Sequence, residues 1–248
     1  MKERPILFSA PMVRAILDGR KTQTRRVVKP GSTQTWMPNG VPSAVARWEH
    51  RKDGWWSMQV GTPERIVHCG VEMDGGHIGC IRCPYGVPGA RLWVKETFRV
   101  HGDCGRDKAS TSTCTGPDDC EFAADFNGME LDAREWRPSI HMPRWASRIT
   151  LEVIGVRVER LQEISEADAK AEGIYSACIH VPPPIHTETR YVAPGVKMVN
   201  AADEVDYEAP AHRTAKHAFE CLWESINGYG SWSVNPWVWV VEFKRIKP

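Results

Sequence analysis

The sequence predicts an α+β fold: one small, mixed β-barrel domain over residues 1–248, with flanking helices and large irregular insertions. Three observations predict it. Several short segments alternate apolar and polar residues as strands do, few helical patterns separate them, and three stretches rich in Gly, Pro or small polar residues show no periodicity. Hydrophobic residues make up 42% of the chain and charged residues 25%, as in globular domains and unlike disordered chains.

The first predicted elements are a strand, a helix and a second strand. "RPILFSA" (4–10) alternates weakly, and Pro11 favours a helix that begins there. Gly19 stands where the C-terminal cap of this helix is expected. "KTQTRRVV" (21–28) then predicts a strand. The apolar stripe of the helix consists of Met12, Val13, Ile16 and Leu17.

The clearest strand pattern is "SRITLEVIGVRVERL" (147–161). Its alternation slips by one residue at Ile154–Gly155, which indicates a β-bulge. A short helix follows, with Ser165 as its N-cap and Gly173 past its end. Further strands are predicted at 90–98 and 235–246, and an amphipathic helix at 211–226.

Three stretches are expected to be irregular insertions in this core: 30–88, 101–135 and 176–210. The first contains a candidate structural zinc site, because a C-x2-C pair with one more Cys and a His offers four ligands for tetrahedral zinc. His68 is an alternative to His77 as the fourth ligand. If no zinc binds, these cysteines are free surface thiols. Cys178 and Cys221 look like lone thiols. The four candidate ligands are Cys69, His77, Cys80 and Cys83.

Positive charge is concentrated at the start of the chain. The net charge is only +1, yet residues 1–30 hold eight Lys or Arg against two acidic residues. Such a patch fits a phosphate-bearing ligand, with a solvated charged face as the alternative. The sequence contains no Gly-rich phosphate loop, dinucleotide fingerprint, H-E-x-x-H or G-x-S-x-G, which argues against nucleoside-triphosphatase and Rossmann-type functions.

Four segments together resemble the ASCH domain, a branch of the PUA-like superfamily: "ILDGRKTQTRR", "GARLWVKETF", "ITLEVIGVRVERLQEISEADAKAEG" and "WVWVVEF". The resemblance covers roughly half of the chain, which looks like the longer ASCH proteins of bacteriophages and prophages. Gly19, Lys21 and Arg26 match the signature G-x-K-x-x-E-x-R, and Thr24 stands at its Glu position. A small bacterial ASCH enzyme that hydrolyses N4-acetylcytidine also has threonine there.

The resemblance implies a PUA-like barrel whose reactive set is Lys21, Thr24 and Glu172. A lysine with a lowered pKa can accept the proton of a hydroxyl, while a glutamate orients the lysine or protonates a leaving amine. In an extended strand, Lys21 and Thr24 would be roughly 10 Å apart on opposite faces. They can therefore meet only if Lys21 belongs to the turn after Gly19. A plain Lys–Glu ion pair is the alternative.

Arg25 and Arg26 are expected to contact phosphate or the barrel wall. Trp232, in a Gly/Ser/Asn-rich loop, is a candidate for stacking on a base, with core packing as the alternative. The leading hypothesis is hydrolysis of an amide on an N4-acetylcytidine-like cytosine, with no cofactor in catalysis. The alternatives are a non-catalytic RNA or modified-DNA binding module and a ribonuclease.

The expected ligand is therefore a nucleoside or single-stranded nucleic acid, and the insertions are candidate surfaces for a host protein. The sequence has neither an apolar run of the roughly 20 residues that span a bilayer nor the pattern of a signal peptide. We expect no membrane partner and a cytoplasmic protein, in the host cytoplasm if it is phage-encoded. In that compartment cysteines are typically thiols or metal ligands.

Overall fold

The computed structural model describes residues 3–28, 46–50, 56–62, 65–68, 80–81, 83–100, 116–126, 136–181, 186–194, 198–199, 205–206 and 211–246. The α-helices in these ranges are α1 (Ala10–Leu17), α2 (Glu166–Ala171) and α3 (Ala215–Asn227). The strands are β1 (Arg4–Leu7), β2 (Gln23–Val27), β3 (Ala46–His50), β4 (Trp56–Thr62), β5 (Arg65–His68), β6 (Cys80–Ile81), β7 (Arg91–Lys95), β8 (Phe98–Val100), β9 (Cys120–Phe122), β10 (Thr150–Arg160), β11 (Tyr175–Val181), β12 (His186–Val192), β13 (Met198–Val199), β14 (Val205–Asp206), β15 (Ala211–His212) and β16 (Trp237–Ile246).

A five-stranded mixed sheet forms the centre of the fold, in the order β1-β7-β10-β16-β2. The pair β1–β7 is parallel and the other three pairs are antiparallel. The predicted α+β class is confirmed, and within the described residues the sheet does not close into a barrel, because no pairing joins the edge strands β1 and β2. A side chain stands at this gap: Arg26 Nη2 of β2 donates to the carbonyl oxygen of Leu7 in β1 at 2.6 Å.

The predicted bulge in β10 is confirmed. The register of β10 against β16 shifts between Val153 and Gly155, at the slip seen in the sequence. A Cβ at Gly155 would lie 2.7 Å from Oε2 of Glu242 on β16. A side chain at position 155 would collide with this carboxylate, so glycine leaves the space that the Glu242 side chain occupies at the bulge.

The hydrophobic core lies between the central sheet and helices α1 and α3. Trp237 and Trp239 of β16 are both buried in it, as are Phe219 and Trp223 of α3. A second, smaller cluster contains Phe98, Cys120, Phe122, Met142 and Ala146. Within the described ranges, no helix is both long and apolar enough to cross a membrane.

The insertions contain regular strands where the sequence predicted irregular chain. Strands β3 to β6 form a four-stranded antiparallel sheet within 30–88. In 176–210, β11 and β12 form a hairpin, and β12 also pairs with β15. Their alternation is hard to recognise because glycines and tryptophans interrupt one segment and polar residues dominate the other.

The last helix begins later than predicted. Thr214 caps α3, with its Oγ1 accepting a hydrogen bond from His217 N at 3.2 Å. The residues before the cap are not helical, because Ala211 and His212 extend as β15 against β12. The predicted helix over 211–226 is therefore a strand, a turn and then a helix.

Candidate active site

The turn after α1 places Lys21 before strand β2. Gly19 adopts a φ of +73°, in the left-handed region that favours glycine, so the chain reverses there. The backbone amides of Arg20 and Lys21 both donate to the carbonyl of Ala15 at 2.9 Å. Lys21 therefore belongs to the turn, as its meeting with Thr24 requires.

The same turn is joined to the end of α2. Lys21 forms an isolated antiparallel bridge with Glu172, and Thr22 N donates to the carbonyl of Ala171 at 2.9 Å. Gly173, at a φ of +103°, ends the helix directly after this bridge. Two segments far apart in sequence are thus aligned by their backbones.

Lys21 and Glu172 form a buried ion pair at this bridge. Lys21 Nζ donates to Glu172 Oε2 and to the carbonyl oxygen of Glu172, each at 2.8 Å. The two side chains are 3% and 4% exposed. At such burial the pair interacts strongly, and removal of either partner leaves an uncompensated charge. Of the three predicted reactive residues, the structure joins these two directly.

Burial lowers the pKa of Lys21 below its ordinary value of 10.5. Loss of water around the ammonium group is the main cause, and the positive charges of Arg26 and Arg25 act in the same direction. The carboxylate of Glu172 opposes them. The lysine is thereby moved toward the neutral amine, which can accept a proton.

Arg25 holds Glu172 from the other side. Its Nη1 donates to Glu172 Oε1 at 3.1 Å, and its Nη2 pairs with Glu159 and lies 3.5 Å from Asp168 Oδ2. The guanidinium is fully buried and its Nη groups are engaged by carboxylates. Arg25 is therefore placed as a support for Glu172 rather than as the expected phosphate contact.

A cavity of about 180 Å³ opens beside this cluster. Lys21, Thr24 and Glu172 line it together, with Arg25 and Arg26. The cavity lies at the gap between the edge strands, since the end of β1 and most of β2 also border it. The remaining walls are mostly apolar and come from both sides of the gap: Leu7, Phe8, Ser9, Met12, Val27, Phe219, Leu222, Trp223, Ile226 and Asn227.

Two cations lie near one aromatic ring of the cavity. Lys21 Nζ is 5.8 Å and Arg26 Cζ is 5.3 Å from the centre of the Phe8 ring. The Nε of Arg26 is buried without a hydrogen-bond partner. Arg25 Nε is likewise buried without a partner. The two arginines differ in their Nη groups, because carboxylates engage those of Arg25 whereas Arg26 Nη2 donates to the carbonyl of Leu7.

The wall from α3 was not found by sequence reasoning. Phe219, Leu222 and Trp223 form the apolar face of an amphipathic helix, which looks the same in sequence whether it borders a core or a cavity. Trp232, expected to stack on a base, does not line this cavity. It is buried, with its ring 6.2 Å from that of Phe219. Core packing accounts for this position.

The candidate zinc ligands are only partly described. Cys69 and His77 lie outside the described residues, and Cys80 lies in β6, paired with β4. Cys83 is a buried thiol within the main core, and burial raises its pKa to about 11. The zinc site in this insertion stays a prediction.

Comparisons of the chain with models of known protein families, with curated proteins and with solved structures give no match. The function of the site is therefore argued from its own geometry, together with the motif that includes Lys21 and Thr24.

Proposed function

We propose that the protein is a nucleobase-directed hydrolase of the ASCH type that removes an acyl group from the exocyclic amine of a modified cytosine such as N4-acetylcytidine. One observation carries this proposal: the buried Lys21–Glu172 pair, 2.8 Å between Nζ and Oε2, shares one cavity with Thr24. These are the three residue types, at matching positions, that the resemblance to the ASCH enzyme implies.

The proposed reaction is an acyl transfer through Thr24. The neutral amine of Lys21 accepts the hydroxyl proton as Thr24 Oγ1 attacks the acyl carbon. The bond from that carbon to the exocyclic nitrogen then breaks, and Lys21 returns the proton to the leaving amine. Water then adds to the acyl-threonine as Lys21 accepts its proton. The bond from the acyl carbon to Thr24 Oγ1 breaks, Lys21 returns the proton to Oγ1, and the carboxylic acid is released.

Glu172 acts as a positioning residue in this scheme. Both of its carboxylate oxygens accept hydrogen bonds, one from Lys21 and one from Arg25. These contacts hold the lysine amine at the cavity. Lys21, and not Glu172, transfers the proton in this scheme.

The cavity suits one flat ring. Its volume of about 180 Å³ is below the roughly 300–1,000 Å³ of sites for drug-sized ligands. Phe8, Phe219 and Trp223 supply aromatic surface, which favours stacking with a base. Arg26 is the cation placed to meet a phosphate at the edge of the cavity.

The test is acetate release from N4-acetylcytidine, as nucleoside and within a short RNA. Lys21→Ala and Thr24→Ala are expected to lower kcat by at least about 100-fold, the lower range for loss of general-base catalysis. Thr22→Ala is the matched control, because Thr22 is exposed and does not line the cavity. Turnover that is equal in wild type and both cavity variants would refute the mechanism.

A binding module without chemistry is the second candidate. The observation that favours it is the closed Lys21–Glu172 pair, since a lysine held by a carboxylate is also a common structural ion pair. This candidate predicts salt-sensitive binding of single-stranded oligonucleotides, weakened in Arg26→Ala, with no acetate release. Metal-independent cleavage of unmodified RNA would instead support the ribonuclease alternative.

A further inference from the structure

Three potential metal ligands meet at the corner between β15 and α3. One ligand atom from each of His212, His217 and Cys221 lies within 4.8 Å of the other two. The cluster is separate from the Lys21 cavity, whose lining residues include none of the three. None of the three is among the candidate zinc ligands of 30–88.

Local structure explains this grouping. His217 and Cys221 are four residues apart on α3, so both side chains project from one face of the helix. His212 lies in β15 before the Thr214 cap, and its ring centroid is 4.5 Å from that of His217. The buried Nε2 of His212 has no hydrogen-bond partner, so its imidazole has an unsatisfied polar atom that points to a missing ligand.

We propose that His212, His217 and Cys221 bind one Zn²⁺, with water as the fourth ligand. Two imidazoles and a thiolate are typical zinc donors, and at bond lengths of about 2.0–2.3 Å their atoms lie roughly 3.3–3.6 Å apart. The donors lie within 4.8 Å of one another, so binding requires an approach of at most about 1.5 Å, which the exposed ring of His217 permits. Cys221 loses its proton when the metal binds.

The surroundings favour a cation with access to water. Glu220 and Glu224 flank Cys221 in the sequence, at positions one before and three after it on the helix. Lys216, the nearest cation in α3, is directed to the carbonyl oxygen of Gln162 at 2.6 Å. His217 also borders an open depression on the surface, through which water can reach the fourth position.

This metal joins two elements of the fold, and the water at its fourth position keeps it accessible from solvent. The ligand face of α3 lies opposite the face that carries Phe219, Leu222 and Trp223 to the cavity. A zinc ion there fastens the first turns of α3 to β15, which is paired with β12. The inference goes beyond the proposed hydrolase and does not depend on it.

The experiment uses the full chain, stripped with a chelator and then loaded with Zn²⁺ or, as a spectroscopic probe, Co²⁺. We expect wild type to bind one metal equivalent more than Cys221→Ser and than His217→Ala. The thiolate-to-cobalt charge-transfer band of this site should be lost in Cys221→Ser. Zn²⁺ should raise the Tm of wild type more than that of either variant.

Two controls separate this site from others. Cys80→Ser removes a candidate ligand of the zinc site predicted in 30–88, so this variant should still bind the metal equivalent of the His212, His217 and Cys221 site. Lys21→Ala should keep it too, whatever the outcome of the acetate assay. The proposal is overturned if wild type, Cys221→Ser and His217→Ala bind equal amounts of metal, or if the cobalt band is the same in wild type and Cys221→Ser. Circular dichroism checks that each variant is folded.

Discussion

Lys21 is the residue whose environment most determines the chemistry of the site. Its ammonium group is buried beside two arginines, and the carboxylate of Glu172 acts in the opposite direction by raising its pKa. The loss of water outweighs the effect of Glu172, so the pKa of Lys21 is lowered and its neutral amine becomes more accessible as a base. In the proposed mechanism, Thr24 relies on this base for activation of its hydroxyl.

The pH dependence of kcat/KM should report Lys21. The proposed mechanism makes the neutral amine the active form, so the rate should rise with pH and level off above an apparent pKa that lies below 10.5. Glu172→Gln should move that apparent pKa lower still, because the carboxylate that favours the charged lysine is removed. Thr22→Ala should keep the wild-type profile. An unchanged profile in Glu172→Gln would contradict this role of Lys21.

The resemblance to the ASCH domain implied Lys21, Thr24 and Glu172: the first two lie in its short signature, and the third lies at the end of the short helix after the central strands. Sequence reasoning could not assign Arg25, since a strand arginine has the same pattern whether it meets phosphate or carboxylates. Only the fold brings Glu159, Asp168 and Glu172 around that guanidinium.

At the scale of elements, the ends of α1 and α2 position the site. A glycine with positive φ follows each helix, and the Lys21–Glu172 bridge joins the residue two after Gly19 to the residue directly before Gly173. Caps and bulges were predictable because each depends on one or two local residues. The start of α3 was not, because pairing of β15 with β12 is a long-range contact that periodicity does not contain.

Gly173→Ala should destabilise the protein more than Gly19→Ala. Both positions have positive φ, but a Cβ at Gly173 would lie 3.3 Å from Ala15 Cβ and 3.4 Å from Lys21 Cβ, whereas a Cβ at Gly19 meets nothing within 4 Å. We expect a loss of about 1–3 kcal/mol at Gly173 and about 1 kcal/mol at Gly19. Urea denaturation measures both, and equal losses would show that the contact with Lys21 is unimportant.

At the scale of the whole molecule, Arg148 joins the central sheet to the second hydrophobic cluster. Its guanidinium makes two hydrogen bonds to Glu96, at 3.0 and 3.1 Å, and two to Asp125, at 2.8 and 2.9 Å. It also lies 3.9 Å from the centre of the Phe122 ring. Glu96, directly after β7, is 1% exposed. One side chain thus connects the two packed regions.

Arg148→Met should destabilise the fold by about 3–5 kcal/mol at neutral pH, because it leaves the Glu96 carboxylate buried without its cation. Burial already raises the pKa of Glu96. As the pH falls, Glu96 therefore gains a proton more readily in the folded variant than in the unfolded chain. The loss of stability caused by Arg148→Met should accordingly become smaller toward acid pH. Unfolding curves at several pH values test this, with Arg148→Met/Glu96→Gln as the control expected to recover stability. A loss that is independent of pH would contradict it.

The pairing of β2 has a consequence for the order in which the protein is synthesised. Within the described residues, β2 pairs with β16 alone, and Phe243 N donates to the carbonyl of Thr22 at 2.8 Å. The carboxylate partner of Lys21 is 151 residues further along the chain. A nascent chain on the ribosome therefore carries its cationic segment without Glu172 until α2 is made, and without a strand partner until the final strand emerges. The cavity can form only once translation of the core is complete.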